Sequence, residues 1–333
     1  MKIKNFIGMV AVASLAATFA FSPSAQAESI NLRFATITGE GFPYVDGMRK
    51  FKESVEALSG GDIKVTVYIG GQLGNEREIN EAILEGSVHM GIGAGSMANL
   101  APIYNLVQLP FLVQGQKHMN AIADGPVGVK IAALIEKQAG YRVLDWWSTG
   151  DSPIETVKAP VTKPDDLKGV KIRVIPNPAL VDGMKAMGAN PTPMAYGEVY
   201  TGLKQGVIEG AHLDVMSVNN LKVYESIRYM TDWNQITFLS EPRPVIMKAS
   251  YFDGLSKKHQ DWIRAAMAVA TTHERKVFVD SMNKIRGFLE GKGIKINKVD
   301  KAAFIEKIKP VWAKYAKKLN AEDLLQEIIA LNK

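Results

Sequence analysis

SKKHQDWIRAAMAVATTHERKVFVDSMNKIRGFLE, residues Ser256–Glu290, is the stretch on which the architecture turns. Trp262, Ile263, Ala266, Met267, Val269, Ala270, Val277, Phe278, Met282, Ile285 and Leu289 recur mostly at three- and four-residue steps, the period of an amphipathic helix. No Pro or Gly interrupts it before Gly287, and Ser256 is placed to cap it. At 1.5 Å per residue such a helix is roughly 52 Å long, more than the diameter of a small domain. It must run across two domains or project as a coiled coil. The apolar steps do not keep a strict 3.5-residue period, so the reading taken is a helix bracing two domains. Two amphipathic helices, Lys301–Leu319 and Ala321–Leu331, close the chain.

Upstream of it, strand and helix patterns alternate. Asn31–Ile37 reads as a strand, Tyr44–Leu58 as a helix and Ile63–Ile69 as an alternating strand. Asn75 can cap a helix that Gly86 ends, and Val88–Ile92 and Tyr141–Trp147 are further strands. A second run follows Gly150. It has a strand at Lys171–Val174, a helix at Ala179–Met187, a turn at Gly188–Pro191, a helix at Tyr196–Lys204, and strands near Val207–Leu213, Tyr229–Gln235 and Val245–Met247. This order predicts α/β structure with largely parallel sheets.

The chain has 333 residues, 40 Lys+Arg, 34 Asp+Glu and no cysteine, with a formal charge of +6. That length suits two domains. Without cysteine there is no disulfide, thiolate metal site or cysteine nucleophile. The charge is too small to point to nucleic acid. Lys2 and Lys4, the apolar run Phe6–Phe21 and Ala25-Gln26-Ala27 have the form of a cleaved secretory signal, 1–27. Removing it leaves 333 less 27, or 306 residues, and a charge of +4 once the two lysines are gone. No later apolar run reaches the roughly 18 residues of a membrane span, so direct membrane insertion is not expected.

Catalytic and cofactor patterns are absent. Gly91-Ile92-Gly93-Ala94-Gly95-Ser96 lacks the third glycine of a dinucleotide loop and the Lys-Ser/Thr of a phosphate loop, and reads as a tight crossover beside a cleft. The five histidines show no metal-ligand spacing, and there is no G-x-S-x-G elbow. No cofactor, no metal and no enzymatic activity are expected. Arg173 lies in a short strand, opposite in alternation to Ile172 and Val174. Spacing alone favours a solvated outward side chain; an inward one would offer a planar fork to a carboxylate.

Two blocks carry a family resemblance: DDLKGVKIRV (Asp165–Val174) and GANPTPMAYGEVYTGLKQGVIEG (Gly188–Gly210). With Gly71-Gln72-Leu73-Gly74, Leu109-Pro110-Phe111 and Lys222-Val223-Tyr224-Glu225, they resemble the solute-binding proteins of tripartite ATP-independent periplasmic (TRAP) transporters, of the DctP type, over nearly the whole chain. The resemblance implies a periplasmic clamshell of two α/β domains with an interdomain ligand cleft and a long helix spanning both. It also implies closure on a small organic acid, delivery to membrane permease subunits, and no chemistry by the binding protein. The expected division is 28–150 plus about 241–275 for the first domain and 151–240 plus about 276–333 for the second. A monomer is the expectation.

By the same resemblance Arg173 pairs with the ligand carboxylate and Tyr196 lines the cleft. The chain also departs from the family. A second Arg common in members falls on Ser152, and an Asn that touches ligand falls on Leu213 in Ala211-His212-Leu213-Asp214. Asp151, His212 and Asp214 are candidates to replace these polar groups. Each has a plainer reading: a hinge-surface carboxylate, a core histidine and a helix cap. Trp147, at the end of a strand beside Trp146, is a candidate aromatic wall, although one of the two must face a core. One cationic fork favours a ligand with a single carboxylate, carrying hydroxyl, oxo, amino or aromatic groups. The alternatives are a cationic amine held by the Asp side chains and aromatic faces, a sensory binding protein feeding a receptor kinase, or an exported hydrolase or lyase using cleft carboxylates and His212.

Overall fold

The computed structural model describes residues 29–332, and the expected signal 1–27 lies outside them. The first stretch holds β1 (Ile30–Ala35), α1 (Pro43–Leu58), β2 (Ile63–Tyr68), α2 (Glu76–Glu85), β3 (Met90–Ile92), α3 (Gly115–Ala123), α4 (Pro126–Ala139) and β4 (Tyr141–Ser148). The second holds β5 (Ile154–Thr156), β6 (Lys171–Val174), α5 (Pro178–Ala186), β7 (Asn190–Pro193), α6 (Val199–Lys204), β8 (Gly210–His212), α7 (Val215–Asn220) and β9 (Tyr229–Thr231). The chain then returns through β10 (Pro242–Lys248), α8 (Ala249–Gly254), α9 (Lys257–Gly291), β11 (Lys295–Asn297), α10 (Lys301–Leu319) and α11 (Glu322–Ala330).

Local chemistry explains many of these boundaries. α1 buries Val45, Met48, Phe51 and Val55 at helical steps and opens with Pro43, whose missing N–H is not needed there. Asn75 caps α2: its Oδ1 accepts from Arg77 N and Glu78 N, while Glu78 Oε2 accepts from Asn75 N at 2.7 Å. The segment expected to turn at Gly188–Pro191 instead enters β7, parallel to β6. Asn190 N and Met194 N donate to Val170 O and Val174 O, so the intervening Pro191 and Pro193 put their missing donors on the open edge.

Two sheets form, in the orders β2-β1-β3-β10-β4 and β11-β9-β5-β8-β6-β7. Each is parallel but for one strand, β10 in the first and β5 in the second. In each case the antiparallel strand is the one that arrives from the other lobe. The chain crosses between β4 and β5 and returns between β9 and β10, and the crossings touch in a single antiparallel bridge, Ser152 to Leu239.

α9 is the helix expected at Ser256, whose Oγ accepts from His259 N at 3.2 Å. It packs on α1 and β4 of the first lobe and on α7 of the second. Near its far end Arg286 pairs with Asp232 at 3.1 Å. The fold is therefore a two-lobed α/β clamshell braced by one helix. The last two helices lie against both lobes: α10 packs on α5 and donates from Trp312 Nε1 to Pro110 O at 2.8 Å, and α11 packs on α4. Among the described residues no helix is long and apolar enough to cross a membrane.

Candidate functional site

Strands in both lobes end at the interlobe cleft, the usual ligand position in open α/β sheets. The cleft encloses about 690 Å³ of empty space, part of it open to solvent. The first lobe contributes Thr36 and Thr38 after β1, Tyr44 from α1, Glu76 from α2 and Ala94 after β3. The second contributes Arg173, Tyr196, His212, Asp214 and Ser217, and the crossings supply Ser152, Leu239 and Arg243.

Arg173 faces inward and is 3% exposed. Its Nε donates to Met194 O at 3.1 Å and its Nη1 to His212 O at 3.3 Å. Those two bonds fix the plane of the fork. No carboxylate lies within ion-pair distance of it among the described residues. Burial lowers its pKa to about 10, the response of a charge that has lost water without gaining a counter-ion.

His212 is 1% exposed, and neither ring nitrogen has a hydrogen-bond partner. Burial first, then the charges of Arg173 and Arg243, hold its pKa well below the usual histidine range, so the ring is neutral. Asp214 is both a cap and a wall of the cleft. Its Oδ1 accepts from Ser217 N at 2.8 Å at the start of α7. Burial raises its pKa, with the Ser217 bonds opposing. Tyr196 also lines the cleft, and its hydroxyl donates to Asn220 Oδ1 at 3.3 Å. Ser152 lines it while its backbone N donates to Leu239 O at 2.8 Å.

Two candidates lie elsewhere. Trp147 is 0% exposed and packs between Phe34 and Tyr44, with Nε1 donating to Thr271 Oγ1 at 3.0 Å. Trp146 points to the opposite core, as strand alternation requires, so neither indole walls the cleft. Asp151 is not in the cleft lining; burial raises its carboxyl to about 6, with the Ser240 hydroxyl opposing.

The expectation of a single cationic fork is also corrected. Arg243, on β10, brings a second guanidinium to the cleft. Its Nη2 pairs with Glu241 Oε1 at 2.6 Å. Residues two apart on an extended chain share a face, which places both groups together. Glu241 is 0% exposed, and its Oε2 lies 2.9 Å from the Tyr104 hydroxyl. Burial raises Glu241 to about 7, against the pull of Arg243 and then Tyr104. Burial lowers the Arg243 pKa, but Glu241 and the nearby phenols more than offset that. The segment Glu241-Pro242-Arg243-Pro244 held the only sequence signal: two opposite charges two apart beside a crossing. Glu76 was missed too. Its Oε1 accepts from Ser96 N at 2.6 Å and Ser96 Oγ at 2.5 Å, and the residue lines the cleft.

The lobes are joined across the mouth. Asn220 Oδ1 accepts from Gly39 N at 3.2 Å and its Nδ2 donates to Glu40 O at 3.1 Å. Asn177 Nδ2 donates to Gly95 O at 3.0 Å, and Asn99 Nδ2 to Pro176 O at 3.1 Å. The arrangement is a closed one.

Comparison with known proteins agrees with this architecture. A solute-binding protein of Roseobacter denitrificans is 32% identical over 91% of this chain and 90% of its own. The 2,3-diketo-L-gulonate-binding periplasmic protein of Escherichia coli is 29% identical over 91% of each. A crystal structure of a TRAP solute-binding protein from Roseobacter denitrificans with bound β-D-glucuronate superposes with a TM-score of 0.86 at 28% identity, over 90% of this chain and 99% of that one. The model of the bacterial extracellular solute-binding proteins, family 7, matches residues 34–318. The chain belongs to that family and is a TRAP-type solute-binding protein for small organic acids.

Proposed function

We propose that this chain captures a sugar acid with one carboxylate, an aldonate or uronate, in the periplasm and hands it unchanged to the membrane permease subunits of a TRAP transporter. The observation that carries the reading is Arg173: a buried guanidinium in the interlobe cleft with no carboxylate at ion-pair distance among the described residues. A ligand carboxylate supplies the missing partner, and its planar geometry matches the fork. Around it, the Asp214 and Glu76 carboxylates accept from hydroxyl groups, and the neutral His212 ring can take or give a hydrogen bond. Tyr196 offers a flat face against a carbon chain or ring. Relatives that bind 2,3-diketo-L-gulonate and β-D-glucuronate support the same substrate class. Two guanidinia in the cleft leave a cationic amine unsupported.

The test is a thermal-shift and calorimetry panel of D-glucuronate, L-galactonate and D-gluconate, with chromatography of the recovered acid. Stabilisation with the acid recovered intact is expected. No stabilisation by any of them, or a converted product, would overturn the reading.

A further inference from the structure

The Arg243–Glu241 pair bears on how many carboxylates the cleft will take. Arg243 is part of the cleft wall, whereas Glu241 is not; it sits behind Arg243 on the same strand face. Of the two guanidinia, only Arg173 is without an acid partner. The other carboxylates at the cleft, Glu76 and Asp214, are like charges to any anionic ligand. Both are anchored, Glu76 by Ser96 and Asp214 by Ser217, so neither can swing away from an approaching anion.

We infer that Glu241 acts as a charge filter: by neutralising Arg243 from behind, it makes the cleft a site for one carboxylate and excludes dicarboxylates. The Arg243 guanidinium then serves as a neutralised donor. Its Nε is buried and has no partner among the described residues, so a hydroxyl or ring oxygen at the far end of the ligand can satisfy it. A second carboxylate in that place would meet a guanidinium already paired with Glu241, beside the Glu76 and Asp214 carboxylates. Tyr104, whose hydroxyl reaches both Glu241 Oε2 and Pro242 O, holds the filter in register with the crossing strand. Glu241 is thus a positioning residue that sets specificity without touching the ligand. The inference rests on Arg173 taking the first carboxylate, as proposed above.

D-gluconate and D-glucarate are the probes, since they differ in one terminal group, CH2OH against carboxylate. Calorimetry on the wild-type protein should show D-gluconate favoured over D-glucarate by about tenfold or more. Glu241→Gln, which keeps the shape and an acceptor for Tyr104, should raise D-glucarate affinity and move the ratio by about tenfold or more toward the dicarboxylate. Adding Arg243→Met to Glu241→Gln should cancel that gain. A wild-type protein that binds the two equally overturns the filter without any variant. So does a folded Glu241→Gln protein with an unchanged ratio. A wild-type protein that binds none of the sugar acids overturns the proposed function, and the filter with it.

Discussion

Asn220 and Gly39 belong to opposite lobes and meet across the mouth of the cleft, with Gly39 N donating to Asn220 Oδ1 at 3.2 Å. The same amide donates to Glu40 O, and its oxygen also accepts from the Tyr196 hydroxyl, so a cleft-lining ring and the interlobe latch share one side chain. These interlobe bonds exist only while the lobes are together. Asn220→Ala should therefore weaken binding by roughly 1–2 kcal/mol, at about 1 kcal/mol per net hydrogen bond. Small-angle scattering of the variant should show a larger radius of gyration than the wild type. Equal affinity and equal radius would remove the latch from the closure mechanism.

Arg173→Met should abolish most binding, by about 2–5 kcal/mol, the range for removing one member of a buried charge pair. Its effect on the empty protein runs the other way. The wild type keeps a buried cation without a counter-ion, a cost of several kcal/mol. Losing the bonds to Met194 O and His212 O returns only about 1 kcal/mol each. The ligand-free variant should melt no lower than the ligand-free wild type. A fall of many degrees would make Arg173 a structural residue.

Glu274, in the middle of α9, is pushed up to about 8 by burial, against the bond from Ser148 N and the charge of Arg275; Asp145 pushes the same way as burial. Its folded pKa lies above its unfolded one. The folded state thus holds a proton that the unfolded state releases, and stability falls as pH rises from about 4.5 to about 8. The upper bound is on the order of 5 kcal/mol, at about 1.4 kcal/mol per pKa unit. Glu274→Gln keeps an acceptor for Ser148 N and should flatten that part of the profile. Urea titrations at pH 5, 7 and 9 compare the two slopes; parallel slopes would contradict the assignment.

Gly47→Ala tests the closest packing of the brace. A Cβ there would lie 2.8 Å from Trp147 Cη2 and 3.0 Å from Glu274 Cβ, where α1, β4 and α9 converge. Overpacking costs about 1–3 kcal/mol, and better helix propensity returns about 1 kcal/mol. Chemical denaturation should show a net loss of up to about 2 kcal/mol. A stabilised variant would show that the junction has slack.

The parts of the fold that the sequence made legible are those with a period and a cap. α9 and its Ser256 cap, the Asn75–Gly86 helix and the β6 strand all announce themselves locally. β7 did not, because Asn-Pro-Thr-Pro reads as a turn until an edge is available on which prolines are harmless. The site divides on the same lines. Alternation alone would have sent Arg173 to solvent; family resemblance, and not spacing, turned it inward. Trp147 reads as near the cleft from its position at the end of β4, but it packs against Phe34 and Tyr44 in the core instead. Arg243 escaped notice because its partner, Glu241, is buried by tertiary packing that no window of sequence around Pro242 reveals.

The place of β10 in the first sheet has a consequence for the chain's biogenesis. It pairs with β3 on one side and β4 on the other, yet it follows every strand of the second lobe except β11. A chain emerging N-terminus first cannot join the two halves of its first sheet until Lys248 has appeared. By then five of the six strands of the second sheet have been made, so the two lobes mature together and late. Long-range pairing of this kind is slow to form. Through most of its synthesis the polypeptide is therefore still incomplete in tertiary structure, the condition in which a chain can be threaded through a narrow translocation pore.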